Sequence, residues 1–130
     1  MTSSSWESIT QAYQEILLDR SPSPGRRIEG MHHILSLIPL LRQSEALKAG
    51  IRYLSLYNLV FELPEKTTQM RIMPPGLIST GSSTEFEVLL NNPESNRILS
   101  QQRISCSALE RVVQTAEDYF MRLKDDENIP

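Results

Sequence analysis

Cysteine is nearly absent from the 130-residue chain, which contains only Cys106. No disulfide can therefore form within the chain. The sequence also lacks an Asn-X-Ser/Thr acceptor for glycosylation, and its first residues contain no basic segment followed by an apolar run, as a secretory signal would. These absences predict an intracellular protein, either cytoplasmic or nuclear.

Long apolar runs and an excess of positive charge are also missing. The longest apolar stretches, 34–41 and 54–63, are interrupted by polar residues or proline and are shorter than the roughly 20 residues that a membrane span needs. The formal net charge is −3 at pH 7, which disfavours general electrostatic attraction to nucleic acid or anionic lipid. We therefore predict no membrane span, and contact with phosphate only through a local basic patch.

Catalytic motifs are absent as well. The chain has no glycine-rich phosphate loop, no serine elbow and no paired-acid motif. Cys106 precedes a predicted helix whose dipole would favour the thiolate, but a nucleophile there needs a base, and His32 and His33 are the only histidines. We therefore expect no enzyme activity, and we keep a cysteine-based enzyme or redox regulator using Cys106 as a third hypothesis.

A metal site is not predicted either. Glu29 and His33 are four residues apart on one predicted helix face, whereas His32 and His33 point about 100° apart, so the three side chains do not converge. No second group of His, Cys or Asp supplies the remaining ligands. The sequence therefore predicts neither a metal nor any other cofactor.

What the sequence does contain is the patterning of one α+β domain. A chain of this length typically builds a single core, and 39% apolar with 22% charged residues is typical of a globular protein. We predict one globular domain over residues 1–130. Its expected architecture is an N-terminal group of three helices packed on a small antiparallel sheet and closed by a C-terminal amphipathic helix.

The three N-terminal helices are predicted from apolar residues at three- and four-residue spacing. The first starts at a capping-box pattern, Ser4 with Glu7, and ends near 18. The second runs from about 27 and kinks or ends at Pro39. The third is capped by Ser44 and extends towards 61, although residues 58–63 fit a strand equally well.

The sheet is predicted from short alternating runs that follow Pro64. The clearest strand is 85–90, a weaker one is 70–73, and 77–78 is a further candidate. Together these runs predict a small antiparallel sheet.

The C-terminal part is predicted to be helical. Asn92 followed by Pro93 and Glu94 has the order of a helix start, which predicts a short helix through 99. The last helix begins at a second capping-box pattern near residue 107 and continues to 123. The polar residues 124–130 are expected to fray, and residues 21–27, with two prolines and a glycine, are expected to form an exposed loop.

Two sets of residues are predicted to form contact surfaces. The first combines methionine and proline at a predicted sheet edge, an adaptable apolar surface made of Met70, Ile72, Met73, Pro74 and Pro75. The second is a basic patch that could meet phosphate or an acidic partner, made of Arg20, Arg26, Arg27, Lys48 and Arg52.

The loop between the first two helices also contains two Ser-Pro pairs. Ser21 and Ser23 fit the pattern of proline-directed kinase targets, and each phosphate would add about −1.5 to −2 charges beside the arginines. The simpler interpretation is an ordinary solvated turn.

These features favour a noncatalytic protein-interaction or assembly module that self-associates, in the manner of an adaptor. The third predicted helix is apolar on two sides, and a small sheet leaves an edge that a second copy can use. The alternative hypothesis is a viral-type matrix or accessory protein that binds nucleic acid or an anionic membrane surface through the basic patch.

Overall fold

The computed structural model describes residues 3–19, 30–76 and 81–130. Within these residues the chain forms three α-helices, one short 3-10 helix and a five-stranded antiparallel sheet, so the α+β class is confirmed. In chain order the elements are α1 (Trp6–Leu18), α2 (His33–Arg42), the 3-10 helix (Ala46–Ala49), β1 (Ile51–Ser55), β2 (Asn58–Glu62), β3 (Gln69–Met73), β4 (Glu85–Asn92), β5 (Arg97–Ser105) and α3 (Leu109–Asp125).

The sheet is a meander in which each strand pairs antiparallel with the next, in the order β1-β2-β3-β4-β5. Alternate residues point to one face, where they join the buried side chains of the three helices in a single core. The strand residues on this core face with the lowest exposure are Leu59, Phe61, Met70, Ile72, Phe86, Val88, Leu90 and Ile104.

Helix α1 matches its predicted span but starts from a different cap. The Ser5 hydroxyl, not that of Ser4, accepts a hydrogen bond from the Ser8 N–H (3.0 Å). Trp6, Ile9 and Tyr13 form the buried stripe. The apolar spacing therefore identified the correct face, while the serine-rich start left the capping residue ambiguous by one position.

Helix α2 continues through Pro39, where an end or a kink was expected. Pro39 is exposed, while Leu37, Ile38 and Leu41 are buried beside it. Burial of this face stabilises the helix despite the backbone donor that proline lacks. The predicted residues 27–29 of this helix lie outside the described residues.

The third N-terminal helix is the main error of the sequence prediction, because only two α-helices precede the sheet. Residues 51–62 form the β1–β2 hairpin, as the strand alternative for 58–63 anticipated. Ile51 and Leu54 are three residues apart, which would place them on one helix face, but in a strand they point to opposite faces. A helical spacing in a buried hairpin therefore misled the prediction.

The predicted helix over 92–99 is also wrong. The Asn92 side chain accepts hydrogen bonds from the backbone N–H groups of Glu94 (3.0 Å) and Ser95 (3.4 Å), as a helix cap would. Asn96 then adopts a φ of 56°, which reverses the chain into β5. The capping chemistry was identified correctly, but here it closes a hairpin turn.

Helix α3 agrees with the prediction, whereas the expected fraying of residues 124–130 is wrong. The helix extends to Asp125, and Ile129 is only 4% exposed within the core. The Lys66 ammonium donates to the carbonyl groups of Asp126 (2.9 Å) and Ile129 (2.7 Å), and the Thr68 N–H donates to the Pro130 carbonyl (2.9 Å). One buried isoleucine and a lysine from the β2–β3 connection anchor the tail.

No α-helix in the described ranges has the length and apolar character that crossing a bilayer requires. The predicted exposed loop at 21–27 and the candidate strand at 77–78 lie outside those ranges.

Candidate interaction surface

The predicted apolar contact surface does not lie at a sheet edge. Strand β3, which contains Met70, Ile72 and Met73, is the central strand and pairs with β2 on one side and β4 on the other. These side chains, together with Pro74 and Pro75, are buried. The expectation of an edge strand here is wrong, because a short apolar run flanked by prolines can equally be a fully buried central strand.

The predicted basic patch is not brought together by the described residues. Arg20, Arg26 and Arg27 lie outside them. Lys48 pairs with Glu45 at 2.7 Å on the surface, and the Arg52 guanidinium stacks 4.7 Å from the centre of the Trp6 ring. Of the predicted patch, the structure thus places one cation in a local ion pair and one against an aromatic ring of α1.

The predicted phosphorylation sites, Ser21 and Ser23, also fall outside the described residues. The rings of His32 and His33 are 4.2 Å apart at the start of α2, and partial burial together with the charge of His32 lowers the pKa of His33. Across the described parts of the chain no three His, Cys, Asp or Glu residues are grouped to hold a metal ion.

Cys106 is half-buried just before α3, beside a shallow cleft of about 430 Å³. The cleft is lined by Leu40, Cys106, Ser107 and the first residues of the helix. Its lining contains a carboxylate and a guanidinium, Glu110 and Arg111, and no histidine. The Ser107 hydroxyl, predicted as a cap, instead lies 2.8 Å from the Ser105 hydroxyl.

A polar network occupies the sheet face opposite the core, across β1, β2 and β3. The Glu62 carboxylate accepts hydrogen bonds from the Tyr53 hydroxyl (3.0 Å) and the Gln69 side-chain NH2 group (2.9 Å). The Arg71 guanidinium donates to the Gln69 side-chain oxygen, Oε1 (3.1 Å). Burial, followed by the bond to Glu62, raises the pKa of Tyr53. The network ties three strands together through mutually satisfied groups.

Strand β5 forms one edge of the sheet, and most of its residues are exposed. The Cys106 N–H donates to the Thr84 carbonyl (2.8 Å), so the backbone groups of Cys106 point towards β4. In an antiparallel ladder the two backbone groups of each residue point to the same side, and this side alternates along the strand. The backbone groups of Gln101, Arg103 and Ser105 therefore point away from the sheet.

Two of these residues have wholly unpaired backbone groups. The Ser105 carbonyl accepts a hydrogen bond from the Ala108 N–H (2.9 Å), whereas Gln101 and Arg103 each present a free N–H and a free C=O, as far as the described residues extend. Both residues are exposed. Near Leu90 and Asn91 a bulge distorts the ladder, so the regular edge begins after it.

The opposite edge of the sheet is partly occupied by the N-terminal segment. The Arg52 carbonyl accepts from the Ser4 N–H (2.8 Å), and the Arg52 N–H donates to the Ser3 hydroxyl (2.9 Å). The described residues thus cover part of the β1 edge, and none of them bonds to the outward backbone groups of Gln101 and Arg103.

Sequence reasoning missed the β5 residues for a physical reason. In strand β5 only Ile104 is fully buried and Leu99 is partly buried against the core, so the strand has almost no apolar alternation, and most of residues 97–105 are exposed. The only available signal was the polar stretch after the Asn92 turn, which is equally typical of a loop.

No protein-family model, curated protein or solved structure matches this chain.

Proposed function

We propose that this protein is a noncatalytic interaction module that self-associates, with the β5 edge as its contact. The supporting observation is the row of free backbone donors and acceptors at Gln101 and Arg103. Unpaired strand edges pair readily with other strands, and proteins usually protect them with short strands, prolines, bulges or charges. Here the strand is nine residues long and contains no proline.

The protection that β5 does have is incomplete. Its bulge affects only the first part of the strand, and Arg103 has its charge partly offset by Glu87, whose carboxylate lies 4.0 Å away. The Glu87 side chain is only 11% exposed, so solvent screens this pair less than an ordinary surface pair. A regular, nearly neutral stretch of edge therefore follows the bulge.

Analytical ultracentrifugation over a wide range of protein concentrations tests the proposal. We expect the average mass to rise from that of one chain towards that of a defined oligomer. A single-chain mass at every concentration would contradict self-association.

A filter-binding series with nucleic acid at increasing salt tests the alternative function. For the interaction module we expect weak retention without a steep salt dependence. Tight retention that falls steeply with salt would indicate phosphate contacts and would favour the matrix-type function.

A further inference from the structure

The free groups of β5 match a second copy of the same strand. We infer that two copies pair antiparallel through β5, with the two-fold axis passing beside Gln102, to form one continuous ten-stranded sheet. This inference rests on the proposed self-association and adds its partner, its orientation and its register. Antiparallel pairing of identical strands is symmetric, so the same patch serves both copies and the assembly closes at two.

The free backbone groups restrict the register. Outward-pointing residues must face outward-pointing residues, so the axis must pass at a residue and not between two residues. Within the stretch that has free groups, this residue is Gln101, Gln102 or Arg103. With the axis at Gln102, Gln101 of each copy faces Arg103 of the other, and the two residues exchange both backbone hydrogen bonds. All four free groups of Gln101 and Arg103 in each copy are then paired.

The side chains distinguish the remaining registers. An axis at Arg103 would place two arginines directly opposite each other, and it would need the Ser105 carbonyl, which already accepts from Ala108. An axis at Gln101 leaves the Arg103 backbone opposite Leu99, the bulge residue that has no partner on β4. With the axis at Gln102, each Arg103 guanidinium meets the Gln101 carboxamide of the other copy.

The charges along the sheet also favour this register. Arg103 would lie between Glu87 of its own chain, which partly offsets its charge, and the Gln101 carboxamide of the second copy, which would accept a hydrogen bond from it. Hydrogen bonds from a charged donor are roughly twice as strong as neutral ones. Arg103, whose charge would otherwise disfavour strand pairing at this edge, therefore forms an intermolecular hydrogen bond in the dimer.

The outer edges of the resulting sheet would be the two β1 strands. There the Arg52 backbone is already bonded to Ser3 and Ser4. Further copies would meet a partly covered edge, so we expect the association to stop at two.

Proline substitution tests the edge. Gln101→Pro removes an outward N–H without touching the bonds to β4, whereas the control Gln101→Thr keeps the N–H and suits a strand. We expect Gln101→Pro to raise the dissociation constant of the dimer roughly tenfold or more, because two bonds are lost per dimer. Gln101→Thr should have a clearly smaller effect, and circular dichroism checks that both variants are folded.

Disulfide cross-linking tests the register without relying on a proline variant. In a Cys106→Ser background, Gln102→Cys places two thiols opposite each other on the axis, where Cα atoms about 4.5 Å apart permit a disulfide. Arg103→Cys in the same background is the control, because its two copies lie too far apart to bridge. We expect covalent dimer from the first variant and little from the second under mild oxidation.

The outcomes separate this inference from the proposed function. A wild-type protein that stays a single chain would overturn both. A wild-type dimer that persists in Gln101→Pro and forms no cross-link through Cys at 102 would refute β5 pairing alone, and self-association would stand. Preferential cross-linking through Cys at 103 would show that the axis is misplaced and would overturn the proposed register.

Discussion

Tyr13 joins α1 to the β1–β2 hairpin through a single hydrogen bond. Its side chain is fully buried, and its hydroxyl donates to the Tyr57 carbonyl (2.9 Å). We expect Tyr13→Phe to lower the free energy of unfolding by about 1–2 kcal/mol, because the bond is lost and the carbonyl is left without this donor. Urea unfolding at neutral pH measures the change, and Tyr119→Phe, at a half-buried tyrosine, is the control.

The same tyrosine should make the fold sensitive to alkali. Burial raises the pKa of Tyr13 well above its ordinary value of 10.0. Below that value the hydroxyl is protonated in both states; above it the unfolded chain releases a proton that the folded chain keeps, so the free energy of unfolding falls as pH rises. We expect Tyr13→Phe to reduce this loss of stability, measured as the free energy of unfolding in urea at a series of pH values from neutral to above 10.0. An unchanged slope would contradict the assignment.

The turn between β1 and β2 is an element held in an unfavourable backbone conformation. Leu56 and Tyr57 have φ values of 51° and 70°, in the left-handed region that bulky residues rarely adopt. Leu56 is 84% exposed, so its side chain contributes little packing. We expect Leu56→Asn to stabilise the protein by about 1 kcal/mol, since asparagine tolerates this region.

Thermal unfolding measures the effect of that substitution. Leu56→Ala is the matched control, because it removes the same side chain while keeping the unfavourable backbone. Equal stability of the two variants would show that backbone conformation is not the cause.

The C-terminal tail is the second element with a measurable contribution. Ile129 is buried, and hydrogen bonds from the Lys66 ammonium to its carbonyl and from the Thr68 N–H to the Pro130 carbonyl keep the tail on the core. We expect Ile129→Ala to lower the free energy of unfolding by about 2 kcal/mol, as for other truncations of buried aliphatic side chains. Asn128→Ala, at the exposed neighbouring position, should change it by a few tenths at most. A negligible effect of Ile129→Ala would mean that the tail does not support the core.

For the whole molecule, association through β5 should couple stability to concentration. A dimer that forms only between folded chains shifts the unfolding equilibrium by mass action, so we expect the Tm to rise with protein concentration. Calorimetry over a dilution series measures this rise, and Gln101→Pro should reduce it. A Tm independent of concentration in the wild-type protein would argue against the dimer.

Prediction from the sequence succeeded where one face of an element is buried and the other is solvated. Helices α1 and α3 have such patterns, and their spans agree with the structure within a few residues. Strand β4 was also located correctly, from its alternating sequence, although the structure buries both of its faces. Prediction failed in β1, where the spacing from Leu47 to Phe61 fits a helix as well as a hairpin. It also failed in β5, whose residues carry almost no apolar pattern.

The amino-acid sequence by itself determined the α+β fold class, the buried faces of α1 and α3, and the absence of recognised catalytic motifs, because these depend on composition and on local periodicity. Tertiary structure decided which strand is central and which is an edge. Met70 and Ile72 are apolar in either case, and Gln101 and Arg103 are polar in either case. Whether their backbone groups are paired depends on strand neighbours far away in the chain, which no local pattern encodes.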